Sequence, residues 1–141
     1  MSKRTLLQAG LMGAALMLGL SIPVPARAQT GGRVFELRTY TAAEGKLDAV
    51  LARFRDHTVK LFEKHGITNI GYWVPKDEPL SRNTLIYIVA HQSREAAKKS
   101  WDAFRNDTEW IRVRKESEAG GQLVIKVESV FLGPADFSPM K

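Results

Sequence analysis

The 141-residue chain has no cysteine, so it can build neither a disulfide framework nor thiolate chemistry. It has no GxGxxG, no phosphate-cradling loop and no GxSxG elbow, which removes the usual signatures of dinucleotide, nucleotide and serine-hydrolase sites. HxxxH and CxxC pairs are also missing. Of the three histidines, His57 and His65 stand eight residues apart; that is roughly 12 Å along a helix, too far to share one ion. Neither a metal nor a cofactor is expected. Long apolar runs are scarce too. The single candidate, "AGLMGAALMLGL" from Ala9 to Leu20, has 12 residues. It spans about 18 Å of helix, short of the ~30 Å of a bilayer core.

That run sits between Lys3 and Arg4 on one side and "IPVPARA" on the other, with small residues at Ala26 and Ala28. This is the layout of a secretory signal cleaved after Ala28, and "SKRTLL" faintly resembles a twin-arginine signal with Lys3 in place of the first arginine. A retained N-terminal anchor is the alternative. The expectation is a periplasmic or secreted protein without a stable membrane span in the mature chain. Removing residues 1–28 takes Lys3, Arg4 and Arg27 away and leaves 18 basic against 15 acidic side chains, a net charge of about +3. That is too mild to imply a nucleic-acid partner.

The full chain is 44% apolar and 26% charged, which fits one folded domain rather than disorder. After a flexible linker at 29–33, "RVFELRTY" alternates as a strand. Leu47, Val50, Leu51, Phe54, Thr58, Leu61 and Phe62 make one helical stripe over roughly 45–65. "TAAE" before it is either a capping box or a loop closed by Gly45, and Gly66 supplies the stop after His65. Strands follow at 67–74 and 84–91, then a helix capped by Ser93 and carrying Ala97, Trp101 and Phe104. Thr108 caps a further helical piece, Gly120 and Gly121 end it, 122–132 is the last strand and 133–141 an irregular tail. The order predicts an α+β, ferredoxin-like βαββαβ domain over 34–132: a four-stranded antiparallel sheet with helices on one face.

Alternation divides the strands into two sets. Phe35, Leu37, Ile86 and Ile88, with Tyr72, Val74, Ile125 and Val127, are assigned to the helices. Glu36, Arg38, Tyr40, Trp73, Tyr87, Val89, His91 and Val130 are assigned to the open face. That face is too apolar to meet water in a monomer. At ~25 cal/mol per Å², hiding ~400 Å² would gain on the order of 10 kcal/mol before association costs. A homodimer packed sheet to sheet, with a cavity between the copies, is therefore expected.

"FELRTYT…GKLDAVLARFRDHTVKLFEKHGITNIGYWVP" followed by "NTLIYIVAHQSREAAKKSWDAFRNDTEWIRV" resembles the NIPSNAP family from about Val34 to Phe131. "ELRTY", the "HG…GYW" around His65 to Trp73, "LIYIVA", and Trp101, Phe104, Asp107 and Trp110 carry the resemblance by their order and spacing. The resemblance implies a ferredoxin-like fold pairing as a dimeric α/β barrel, an architecture shared with small cofactor-free monooxygenases, EthD-like proteins and muconolactone isomerases. It implies no activity, and an exported single-domain chain departs from the mitochondrial setting of the animal relatives.

In such a cavity Arg38 would bind a carboxylate or enolate oxygen in bidentate fashion; the alternative is an inert pair with Glu36 or Glu128. Tyr40 would donate to the same oxygen, His91 or Glu36 would move a proton, and Trp73 and Tyr87 would wall a planar ligand. His57 borders the helix stripe and points either into the groove or into the structure around it. His65 reads as a helix-end residue. Two functions are consistent with this inventory. One is a small-molecule site, as a binder or as a cofactor-free monooxygenase or isomerase. The other is a non-catalytic homodimeric interaction protein of the cell envelope.

Overall fold

The computed structural model describes residues 32–141. The expected signal segment, its cleavage point and most of the linker lie outside the described residues.

Strand β1 (Val34–Ala42) leads through a turn at Gly45, whose φ of +68° favours glycine, into helix α1 (Leu47–Arg53). Lys46 precedes α1 without a side-chain cap, so "TAAE" is not a capping box: Thr41 and Ala42 end β1, and Ala43 and Glu44 open the turn at Gly45. A π-helical turn (Phe54–Thr58) joins α1 to α2 (Val59–Lys64). The chain leaves α2 through Gly66 at φ +75° and enters β2 (Thr68–Trp73). β3 (Thr84–His91) follows, then α3 (Arg94–Arg105), α4 (Thr108–Ser117) and β4 (Val124–Leu132). Ser93 caps α3 by accepting from the Ala96 amide at 3.0 Å. α4 is capped by Asp107 and not by Thr108: Asp107 Oδ1 accepts from the amides of Glu109 and Trp110.

The sheet order is β2-β3-β1-β4, antiparallel throughout, with the helices on one face. This is the expected split βαβ arrangement. Among the described residues, no helix is long and apolar enough to cross a membrane.

The faces of β1 and β3 are the reverse of the sequence assignment. Glu36, Tyr87, Val89 and His91 are buried under the helices, in one core with Phe54, Phe62, Trp101 and Phe104. The register shows why these residues move together. Glu36 pairs with Val89, Arg38 with Tyr87 and Tyr40 with Leu85, so the polar side of β1 shares a face with the most buried side of β3. Tyr87 is surrounded by Tyr40, Phe54, Phe62 and Tyr72, with ring centroids 5.2–6.0 Å away. Burying each such ring contributes about 2–3 kcal/mol.

The other face carries Leu37, Ile86 and Ile88 on the central strands, with exposed Trp73, Val130 and Leu132 around them. The open face is thus apolar as expected, but with a different membership. Trp73 lies back over Gly71, where a Cβ would sit 2.5 Å from its ring. Among the described residues, the tail meets this face at one end, where Pro134, Phe137 and Met140 share a groove with Phe35 and Ile88.

Candidate functional site

A cavity of about 400 Å³ opens between the sheet and the helices of a single chain. Such a volume is enough for a small planar ligand. β1 contributes Arg38 and Tyr40, and β4 contributes Val124, Ile125 and Val127. Arg53, Phe54, Thr58 and Phe62 come from the first helical unit, Trp101, Phe104 and Arg105 from α3, and Trp110, Arg114 and Glu118 from α4 and its end. The π turn forms part of this wall. Thr58 Oγ1 donates to the Arg53 carbonyl at 3.2 Å, and the Val59 amide bonds the Phe54 carbonyl, both spanning five residues. Single π turns of this kind are frequent at functional sites.

Below the cavity, Glu36 is the centre of a buried network. Its Oε1 accepts from Arg38 Nη1 at 2.6 Å and from Ser129 Oγ at 2.6 Å. Its Oε2 accepts from Trp101 Nε1 at 2.7 Å and lies 2.9 Å from His91 Nε2. His91 therefore presents an Nε2–H to the carboxylate. Burial alone would raise the Glu36 pKa, but hydrogen bonds from His91, Ser129 and Trp101 and the charge of Arg38 outweigh it and lower the value from 4.5 to about 2. Glu36 is 1% exposed and stays ionised. Burial also works against the Arg38 charge, yet the neighbouring phenols of Tyr87 and Tyr40 and the Glu36 carboxylate more than restore it, and its pKa is raised.

The Arg38 guanidinium lies over the Trp101 ring at 4.3 Å. A second cationic stack matches it across the cavity, with Arg53 5.2 Å from the Trp110 ring. Arg53 is 6% exposed, and its Nη1 donates to Ser117 Oγ and Glu118 Oε1. The Nε atoms of both arginines are buried with no hydrogen-bond partner among the described residues.

The expected site residues therefore separate into groups. Arg38 and Tyr40 line the cavity. Glu36 and His91 lie behind the wall, where Glu36 holds Arg38 and His91 holds Glu36, and neither lines the space where a ligand would sit. The Glu36–Arg38 pair foreseen as the inert alternative exists, while Glu128 pairs instead with Lys126. Tyr87 packs under Tyr40; its phenol is fully buried and pushed well above its usual pKa, first by burial and then by Tyr40. Trp73 stands on the opposite face of the sheet. His57 faces a shallow outer groove with Ala49, Val113 and Glu116. His65 closes the end of α2 on Asp107, at 2.7 Å, where Lys64 also bonds.

Sequence reasoning missed Arg53, Trp110 and Ser129 as members of the site. Arg53 lies three residues after Val50 and one before Phe54, inside the apolar stripe, and that position was the available signal. Ser129 had none, because its contact with Glu36 joins residues 93 apart. Among the described residues, no group of three His, Asp or Glu side chains is placed to hold a metal ion.

Comparison with the curated proteins found no match. Among solved structures, a NIPSNAP family protein of Agrobacterium tumefaciens is 24% identical with a TM-score of 0.68, covering 78% of this chain and 100% of that one. A second protein from the same organism, described as a NIPSNAP family protein of unknown function, is 22% identical with a TM-score of 0.68, covering 79% and 96%. A cofactor-independent oxygenase of Streptomyces nogalater is 11% identical with a TM-score of 0.52, covering 76% and 97%. At these identities the likeness is one of fold. The NIPSNAP family model matches residues 35–139, from the second residue of β1 through β4 and into the tail, and the chain belongs to the NIPSNAP family.

Proposed function

We propose that the protein binds a small, planar, partly apolar metabolite in the cavity between sheet and helices, after export across the cytoplasmic membrane. The observation that carries this reading is the lining itself: Arg38 and Tyr40 rise from the floor beside the aromatic walls of Phe54, Trp101, Phe104 and Trp110. A flat ring fits between such walls, and one oxygen on it would accept from Arg38 and Tyr40. Glu36 and His91 act as positioning residues: Glu36 fixes the guanidinium, His91 fixes Glu36, and neither reaches the ligand.

A cofactor-free monooxygenase or an isomerase would use the same pocket on an enolised or phenolic substrate. Among the described residues, the only carboxylate lining the cavity is Glu118, which is tied to Arg53 and Arg114. Such a substrate would therefore have to arrive already ionised, since no free base waits for it. A thermal-shift screen of planar metabolites tests the binding reading. A hit should raise the melting temperature of wild type and not of Arg38→Ala; a screen in which no planar compound stabilises wild type contradicts it.

A second reading has its own support. The open sheet face exposes Trp73, Val130 and Leu132 beside Leu37 and Ile86, and we propose that a second copy of the chain covers it. In that reading the protein is a non-catalytic homodimer that interacts with other envelope proteins. A melting temperature unmoved by any small molecule, together with a stable dimer, would favour it.

A further inference from the structure

We infer that the ligand of this cavity is an anion, an aromatic carboxylate or a phenolate or enolate of similar shape, gripped by Arg38 and Arg53 together. The inference rests on the planar-ligand reading and goes beyond it by fixing the ligand's charge and adding a second anchor. Five cationic side chains line the cavity, Arg38, Arg53, Arg105, Arg114 and Lys126, against one carboxylate, Glu118. Widening the count to every ion-pair partner just behind the wall adds Lys98 on one side and Glu36, Asp102 and Glu128 on the other. Six cations then face four carboxylates, so the pocket keeps an excess of two positive charges.

Charge alone would describe a solvated surface. Arg53, however, is buried, and so is the guanidinium Nε of each arginine, with no partner among the described residues. Each cation is thus taken out of water with part of its donor set unpaired, which is costly, and a neutral hydrocarbon in the cavity would do nothing to offset that cost. An anionic oxygen set against the guanidinium edges that line the cavity would offset it with charge-assisted hydrogen bonds. The stacking of Arg38 on Trp101 and of Arg53 on Trp110 places each cation against an indole, so a conjugated ring and its anionic substituent find their partners in the same two places. Arg53 also ties α1 to Ser117 and Glu118, which couples occupation of the cavity to the end of α4.

Isothermal titration of the protein with 2-naphthoate and with 2-naphthamide, its neutral isostere, tests the inference without any mutation. Naphthoate should bind at least tenfold more tightly, about 1.4 kcal/mol, and the difference should shrink in 0.5 M salt. Arg53→Gln should weaken naphthoate about tenfold and leave naphthamide within twofold; a structural role for Arg53 alone would weaken both alike. Equal affinity of wild type for the two compounds overturns the anion inference and leaves the planar-ligand reading in place. Failure of both to bind at millimolar concentration overturns the two together.

Discussion

The Trp101 indole donates to Glu36 Oε2 at 2.7 Å, joining α3 to the central strand β1 across 65 residues of sequence. The same ring carries the Arg38 guanidinium on its face. Trp101→Phe would keep an aromatic ring there but remove the donor, leaving a buried ionised carboxylate one partner short. The expected cost is about 1–3 kcal/mol, read from urea denaturation. An unchanged urea midpoint would show that the network does not need this bond.

Stability should fall with acid in a defined window. The folded pKa of Glu36 is about 2 against an ordinary 4.5. A depressed carboxyl contributes fully above its unfolded pKa, and the contribution is lost as pH falls through the folded value. The shift corresponds to on the order of 3 kcal/mol, present above pH 4.5 and lost toward pH 2. Glu36→Gln should be less stable at pH 7, and its gap to wild type should close over that interval. A gap that stays constant from pH 7 to pH 2 would contradict the assignment.

Light scattering of the processed chain at micromolar concentration should give the mass of two copies, and Val130→Glu the mass of one. Val130 is 53% exposed in the single chain, so the substitution should change monomer stability by no more than about 0.5 kcal/mol. A wild-type monomer whose Trp73 is freely quenched by iodide would remove the case for a paired sheet.

Asp107 has two separable duties. One oxygen caps α4, and the other receives Lys64 and His65, whose hydrogen bonds hold its pKa well below the usual carboxylate range. Asp107→Asn can keep the cap and lose the charge, whereas Asp107→Ala loses both. Thermal melts should therefore rank wild type first, the asparagine variant second and the alanine variant last. The reverse order of the two variants would mean that the cap contributes nothing.

Element order, the start of α3 and the end of α2 were legible because they rest on local rules, whereas the cap of α4 is Asp107 and not the expected Thr108. Ser93 and Gly66 are caps and stops by their own chemistry, and the strand at 84–91 was bounded correctly. The orientation of β1 and β3 was not legible. "TLIYIVAH" is apolar on both sides, so alternation could not tell Ile86 and Ile88 from Tyr87 and Val89. On β1 the rule that apolar side chains go inward favoured Phe35 and Leu37. The structure instead buries Glu36, because Trp101, His91 and Ser129 converge on it from distant parts of the chain. Arg38 and Tyr40 were recognised as belonging together, yet the enclosure around them was placed between two chains and not within one. Trp73 does stand on the open face as assigned; it is the inversion of β1 that separates Arg38 and Tyr40 from it.

The wide turn at Phe54–Thr58 has absorbed one residue more than an α-helix needs for the same rise. Its flanks keep the orientation of a helix one residue shorter, which lets Arg53 upstream and Phe62 downstream meet over one cavity. Trimming the exposed Arg55 would return the segment to ordinary spacing without turning either flank. An insertion elsewhere between Leu47 and Lys64 that continued as regular α-helix would swing all that follows by about 100°. The point at which this helix already takes up its extra residue lies beside the pocket.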